Sequence, residues 1–390
     1  MDENIDNEVT THFRACNLCE AICGLEIKVA GGEITSIKGD PNDPLSRGHI
    51  CPKAIALKDI QLDPDRLRQP MRRLRGKGGV PQWEAISWDS ALDTVAEALV
   101  ASRVEHGDDA LGVYLGNPSV HNYGILTHQM ALFSHLRTRN RFSATSVDQL
   151  PHHLSSLWLY GHKDLLPVPD IDHSDYILML GANPIASNGS IWTVPDVRKR
   201  ITELQNRGGK LVVLDPRRTE TAALANEYHP IKPGSDVLFL AAVLHTLLDE
   251  SLTDFSRFAD FVTGIDEVGI VVAQFAPEDV ESTTGIEAAT IRAIAHDFAA
   301  AGSAACYGRM GVSVQAFGTV NHWLIQLINL VTGNLDRVGG TLFAHPAVND
   351  FARTRPGQFN RFKSRVSEKP EFAGELPVVT LAEEILPMPN

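Results

Sequence analysis

The chain is poor in cysteine, with five in 390 residues. That excludes a fold held together by a disulfide framework, which needs a much higher density in a much shorter chain. Long hydrophobic runs are missing too. No window approaches about eighteen uninterrupted apolar residues, so no helix is written to span a bilayer. Positive charge is outweighed, 35 Lys and Arg against 48 Asp and Glu, and a net charge of −13 argues against nucleic acid or an anionic membrane as the main partner. The opening Met1-Asp2-Glu3-Asn4-Ile5-Asp6-Asn7-Glu8 has neither the basic start nor the apolar centre of a secretion signal, and no twin arginine precedes residue 16. A cytoplasmic protein is expected, with length for two or three domains.

What cysteine there is lies almost entirely in one place. Cys16, Cys19, Cys23 and Cys51 are four of the five, arranged as Cys-x2-Cys-x3-Cys, twenty-seven residues, then Cys51-Pro52-Lys53. A structural zinc site usually takes two separate Cys-x2-Cys hooks. Three thiols on one loop and a distant fourth before proline suit the corners of a [4Fe-4S] cubane better, with structural zinc as the alternative and disulfides behind both. Residues 25–29 and 33–37 alternate apolar and polar residues around Ala30-Gly31-Gly32, a hairpin that returns Cys51 to the other three. Residues 1–11 read as a disordered lead. The basic stretch 66–79, with Arg66, Arg68, Arg72, Arg73, Arg75 and Lys77, reads either as a solvated linker or as charge facing cofactor phosphates.

From Ser87 onward apolar runs alternate with helical spacing. Ser87 is placed to cap a helix beginning at Trp88; 110–115 reads as a short buried strand, Tyr123–Leu136 as a helix, 176–180 and 210–214 as strands around a helix at 196–206, and Cys306-Tyr307 as the end of another strand. Such alternation predicts parallel sheets covered on both faces. Ligands of such sheets bind beyond the carboxyl ends of the strands. Here those ends carry Gly181-Ala182-Asn183-Pro184, Asp215-Pro216-Arg217-Arg218-Thr219 and Gly308-Arg309-Met310-Gly311, where glycine admits a nucleotide to the backbone and Asp215 can accept from a ribose or guanine. Asp236 is expected to cap a helix at 237–248, and Cys306 to be a buried, inert thiol.

The cysteine spacing, the hairpin, Gly48-His49-Ile50-Cys51-Pro52-Lys53 and these strand ends resemble the catalytic subunits of molybdopterin oxidoreductases, the family of formate dehydrogenase, nitrate reductase and dimethyl sulfoxide reductase. The resemblance implies a small N-terminal iron–sulfur domain followed by two Rossmann-like parallel-sheet α/β domains, one inserted in the other: 1–66, 67–140, 141–299 and 300–390 in turn. It implies a [4Fe-4S] cluster on the four cysteines, with Lys53 between cluster and pterin. It also implies molybdenum or tungsten held by molybdopterin guanine dinucleotide. Gly181, Asn183, Asp215, Arg217, Thr219, Gly234 and Asp236 match the segments wrapping one dinucleotide; Gly308, Arg309, Gly311, Gly333 and Asn334 match those approaching the second and the cluster.

The family's protein ligand to the metal falls at 143–156, which contains no cysteine. Asp148 is the first choice as ligand and Ser155 the second, and His152 or His153 is placed to handle protons. The implied activity is a two-electron oxo or hydride transfer on a small substrate of the formate, nitrate or S- or N-oxide class. An electron donor or acceptor protein is the expected partner. The alternatives are a non-redox hydratase of the same family, an inactive fragment, or a zinc-stapled binding protein. The family's closing β-barrel domain has no counterpart before Asn390, so a second polypeptide supplying it is expected, or a split or truncated enzyme.

Overall fold

The computed structural model describes residues 8–346, 351 and 354–386, and the chain forms two compact units, 1–143 with 360–390, and 144–359. The first unit opens with strands β1 (Thr10–Ala15), β2 (Gly24–Ala30) and β3 (Glu33–Gly39) in one antiparallel sheet, Ala30 and Glu33 flanking Gly31 and Gly32 at positive φ. The hairpin is as the alternation predicts. The lead is not wholly irregular: Thr10 and Thr11 pair with Val29 and Lys28, while residues 1–7 lie outside the described residues. A strand without a buried face carries no apolar alternation to reveal it, and every residue of β1 is exposed. Short helices α1 (Pro52–Ile55) and α2 (Leu57–Leu62) follow.

The basic stretch is a hairpin. Strands β4 (Met71–Arg75) and β5 (Pro81–Ala85) pair antiparallel, and Arg72 meets Glu84 at 2.8 Å across them. It is held by the antiparallel ladder and the Arg72–Glu84 pair across it. Helix α3 (Trp88–His106) starts where Ser87 accepts a bond from the Ser90 amide. None of its residues is buried. Strand β6 (Val113–Leu115) was expected to be buried; Tyr114 is 57 % exposed, and its one partner is β7 (Arg141–Ser143), parallel to it. Between them α4 (Tyr123–Leu136) is capped by Asn122.

The second unit is built on a parallel sheet. Its elements run α5 (Leu150–Tyr160), β8 (Val168–Pro169), β9 (Tyr176–Leu180), α6 (Pro184–Ser187), α7 (Val197–Asn206), β10 (Lys210–Leu214), β11 (Glu227–His229), α8 (Asp236–Asp249), α9 (Ile265–Val272), α10 (Pro277–Thr284), α11 (Ala288–Ala300), β12 (Ala304–Gly308), α12 (Met310–Ser313), α13 (Gly318–Val331) and β13 (Thr341–Leu342). The strand order is β11-β10-β9-β12, all parallel, and β8 pairs antiparallel with β13. Alternation within each strand feeds two cores. Leu178, Leu180, Val212, Leu214 and Cys306 pack with Phe239, Ile291 and Phe298 from α8 and α11, while Ile177, Met179, Leu211, Val213 and Tyr307 pack with Ile201 and Leu204 from α7. Both faces are covered, which is why these strands read as unbroken apolar runs. The sequence drew a boundary at 299/300; the compact unit runs through it, because β12 pairs with β9.

Strand β12 is an edge, and side chains close it. Asn329 of α13 accepts from the Cys306 amide at 2.8 Å and donates to its carbonyl at 2.9 Å; Asn334 accepts from the Ala304 amide at 3.0 Å. Asn329→Leu strands two buried backbone groups and is expected to cost about 2–4 kcal/mol, read as a lower urea midpoint. The chain then returns to the first unit through β14 (Phe359–Lys363), paired with β15 (Pro370–Phe372), and α14 (Leu381–Ile385). There the fully buried Glu371 is gripped by Arg361, and Glu384 accepts from the Val366 and Ser367 amides. The chain end at 387–390, read as stopping inside a large domain, lies outside the described residues.

Candidate cofactor site

Four thiols are presented by one tight loop and the end of a second. The Cys16 amide bonds the Cys23 carbonyl at 2.8 Å, the Ile22 amide bonds the Cys19 carbonyl at 3.2 Å, and Ile22 takes a positive φ to make the curl. The loop 40–48 is fastened to this one: Ser46 accepts from the Gly24 amide, Asp43 accepts from Ser46, and a Cβ on Gly24 would stand 2.5 Å from that of Asp43. Cys51 then caps α1, and Lys53 is exposed in its first turn. Cys16 and Cys23 are buried with Ala21, Leu25, Ile37 and Ala54 in a small core. None of the four thiols is joined in a disulfide. Burial pushes the Cys23 thiol up to about 11, and the charges of Cys16, Cys19 and Cys51 add to it; burial also raises Cys16, with Cys19 and Cys51 contributing. The four thus sense one another electrostatically. Among the described residues, no three His, Cys, Asp or Glu side chains converge to hold a single ion. The fit rests on the donors: four soft thiols in a three-plus-one arrangement suit sulfide-bridged iron.

In the second unit the strand ends meet. Gly181 follows β9 at φ +55, donates to the Leu214 carbonyl at 3.0 Å and accepts from the Gly311 amide at 2.9 Å. The two glycines touch so closely that a Cβ on either would stand 2.8 Å or less from the other's Cα. This is where β12 turns back beside β9, the position at which parallel sheets open to ligands. Asn183 bridges the neighbouring loops, accepting from Thr221 Oγ1 at 2.7 Å and donating to Glu220 at 2.8 Å. Asp215 accepts from the Arg217 amide at 2.8 Å, Thr219 accepts from the Ala222 amide, and Arg217 lies exposed beside Glu220. Gly234 takes φ +81 before α8, with open space where a Cβ would be.

Asp236 departs from its expected role. Ser235 is the cap position; Asp236 is the first residue of α8, 4 % exposed, and turns its carboxylate to Gln315 Nε2 at 3.0 Å. Burial pushes its carboxyl above the usual carboxylate range, against the opposing Gln315 bond. Gly308 packs tightly, with Ile325 and Val312 each 2.6 Å from where a Cβ would stand. Gly333 and Asn334 are not brought to this place. Asn334 bonds the first residue of β12, at the amino end of the strands, roughly 13 Å along the sheet from the glycine contact.

Arg309 joins what the sequence left separate. Its side chain is 8 % exposed and forks, Nη1 to Asp148 at 2.6 Å and Nη2 to Ser190 Oγ at 2.6 Å. Asp148 thereby stands at the strand ends. Four residues on, His152 is 2 % exposed and stacks on His322 of α13, ring centroids 4.3 Å apart and 7° from parallel. His153 donates from Nδ1 to the Lys163 carbonyl at 2.8 Å. Ser190, Gln315 and His322 were not picked out from the sequence. His322 and Gln326 are spaced i, i+4 and share one helix face, the one signal available.

Burial keeps both stacked imidazoles neutral: it drives His152 well below its ordinary range and His322 down to about 3, with the Arg309 guanidinium adding to each. A histidine held below its unfolded value favours the native state above about pH 6.5, and that stability is lost as pH falls and the unfolded chain takes up protons. Unfolding free energy is therefore expected to fall between pH 6.5 and 5 by up to about 1.4 kcal/mol per pH unit per imidazole, and His322→Gln to flatten that slope in urea titrations.

Residues 11–61 match the molybdopterin oxidoreductase Fe4S4 domain, and residues 66–378 match the molybdopterin oxidoreductase family. The chain belongs to the molybdopterin oxidoreductase family. It therefore carries an Fe4S4-type domain and a molybdopterin-binding domain, the larger part being α/β with parallel and antiparallel sheets. It is similar to formate dehydrogenase H of Escherichia coli, 30 % identical over 83 % of this chain and 44 % of that one. The arsenate respiratory reductase molybdopterin-containing subunit of Shewanella is also 30 % identical, over 83 % and 40 %. Among solved structures, acetylene hydratase from Pelobacter acetylenicus superposes with a TM-score of 0.68 at 25 % identity, over 82 % of this chain and 43 % of that one. The chain thus spans less than half the length of these relatives. Among the described residues no helix is long and apolar enough to cross a membrane.

Proposed function

We propose that this chain carries the catalytic chemistry of a cytoplasmic molybdenum or tungsten oxidoreductase with two molybdopterin guanine dinucleotides and one [4Fe-4S] cluster. The observation that carries the reading is the gathering of Asp148, Arg309, Gly181, Gly311, Asp215 and Asp236 at one end of the parallel sheet. When bound, the metal and its dithiolenes supply the two-electron change, an oxo or hydride transfer on a small substrate. Cys16, Cys19, Cys23 and Cys51 hold the cluster, and Lys53 assists electron transfer from it. Asp148 is the protein ligand, and Arg309 fixes its carboxylate. Gly181 and Gly311 leave backbone bare for a dinucleotide, Asn183 and Thr219 hold the loop beneath it, and Asp215 and Asp236 accept from its guanosine end; Arg217 and Gly234 border the same loops. His152 or His153 handles protons for the transfer.

In this reading the two larger domains are Rossmann-like, one inserted in the other, with electrons passing to a carrier protein. The absence of cysteine from 143–156 favours oxide reduction over formate oxidation. The similarity to an acetylene hydratase supports a second reading, hydration without net electron transfer. Counting iron, zinc, molybdenum and tungsten per chain in an anaerobic preparation tests the first claim: iron with molybdenum or tungsten is expected, and zinc alone would overturn it. Turnover that needs an added electron donor or acceptor then excludes the hydratase. Arg309→Lys, unable to fork between Asp148 and Ser190, is expected to lower kcat at least tenfold while the metal content holds.

A further inference from the structure

The seam between α5 and α13 buries a group of polar side chains. His152, Ser155 and Ser156 from α5 and Asn321 and His322 from α13 are each 2 % exposed or less. Among the described residues, His152 Nδ1, Ser155 Oγ, Ser156 Oγ, Asn321 Oδ1 and His322 Nδ1 find no hydrogen-bond partner. Five unmatched polar atoms on two packed helices are far more than a folded unit tolerates dry.

Their hydrogen-bonding characters can be assigned. Tyr160 donates to Gln326 Oε1 at 3.0 Å, which turns the Gln326 amide nitrogen toward His152 Nε2 at 3.4 Å. His152 Nε2 therefore accepts, and Nδ1 carries the proton. Ser313 gives its hydroxyl proton to the Arg309 carbonyl at 3.2 Å, so it accepts from His322 Nε2 at 2.7 Å, and His322 Nδ1 is left as an acceptor. A donor, an acceptor, a carbonyl oxygen and two hydroxyls then share one seam. The ligand that matches donors and acceptors of such small size, without charge, is water.

The seam also leads somewhere. At one end Gln326 and Tyr160 line a cavity of about 600 Å³ walled by Trp158, Phe258, Trp323 and Phe343, and Trp158 is 62 % exposed. At the other, Ser313 bonds Arg309 and Asn321 donates to the Val312 carbonyl at 2.9 Å, directly behind the glycine contact. We propose that the seam between α5 and α13 is a binding site for ordered water, and that it connects the aromatic-walled cavity with the strand ends at Arg309. Its use there rests on the function proposed above: oxide reduction releases water and hydration consumes it.

The site is tested without turnover by a high-resolution crystal structure of the full chain. Two or more ordered waters within hydrogen-bonding distance of the five atoms are expected, and a dry seam overturns the proposal. Thermal melting of Ser155→Ala/Ser156→Ala separates the same cases by sign. A hydrated seam loses water bonds and melts about 2–4 °C lower, whereas a dry one is relieved of unmatched hydroxyls and melts at the same temperature or higher, which also overturns it. The connection is tested with Gln326→Leu in the metal-loaded protein. A lower kcat at unchanged KM, with the seam waters still in place, is expected; an unchanged kcat with an occupied seam overturns the connection while leaving the water site standing. Failure of the oxidoreductase and hydratase readings shows instead as no turnover in the unsubstituted protein, with the crystallographic result unaffected.

Discussion

The double variant Cys19→Ser/Cys51→Ser is expected to purify with less than one iron per chain, against about four in the unsubstituted protein, and without its visible absorption. The pair is chosen because neither cysteine belongs to the buried core that Cys16 and Cys23 build with Ala21, Leu25, Ile37 and Ala54. Serine is also a good residue for position 51, the cap of α1. Removing these two ligands thus leaves the six buried side chains of that core in place. A second consequence follows from the size of that core. Six side chains, two of them ligands, bury too little apolar surface to hold a subdomain alone, so metal binding is part of its folding energy. Limited proteolysis is expected to cut the iron-free variant within 8–62 while 144–359 survives. Full iron retention in the double variant would remove these thiols as ligands.

Alanine at position 311 is expected to destabilise the second unit by about 3 kcal/mol or more, and to abolish retention of pterin and metal. A Cβ there would stand 2.6 Å from Gly181 Cα and 2.9 Å from its carbonyl oxygen, and both are backbone fixed at the end of the sheet by bonds to Leu214 and Gly311. No flexible side chain is available to give way, so the loops after β9 and β12 must part at the place where a ligand would enter. Gly234→Ala supplies the comparison. It meets no atom within 4 Å, and only its φ of +81 is penalised, at about 1–2 kcal/mol. A 311 variant with a urea midpoint like that of Gly234→Ala would show that the glycine contact is not tight in solution.

Much of the architecture was legible because it is locally encoded. The hairpin around Gly31-Gly32, the apolar strands 176–180 and 210–214, the Ser87 cap and the helix Tyr123–Leu136 all declare themselves through periodicity and turn residues within a few positions. What lacked a buried face went unread. Strand β1 and the hairpin β4–β5 are exposed and polar, and β6 reads as a core strand although little covers it, because burial depends on what packs against a segment and not on its composition. The candidate site divides in the same way. Cysteine spacing points to a metal from sequence alone, since ligand geometry on one loop is a local matter.

Pairings across 30 to 170 residues are not local. That Asp148 meets Arg309, that His152 stacks on His322 and that Asn334 serves the amino end of β12 were settled by the sheet order β11-β10-β9-β12 and by the packing of α5 on α13. Residue type and spacing determined which chemistry the chain can hold. Only the tertiary fold decided which side chains face one another, because a buried apolar strand or helix carries no mark of the neighbour it will choose.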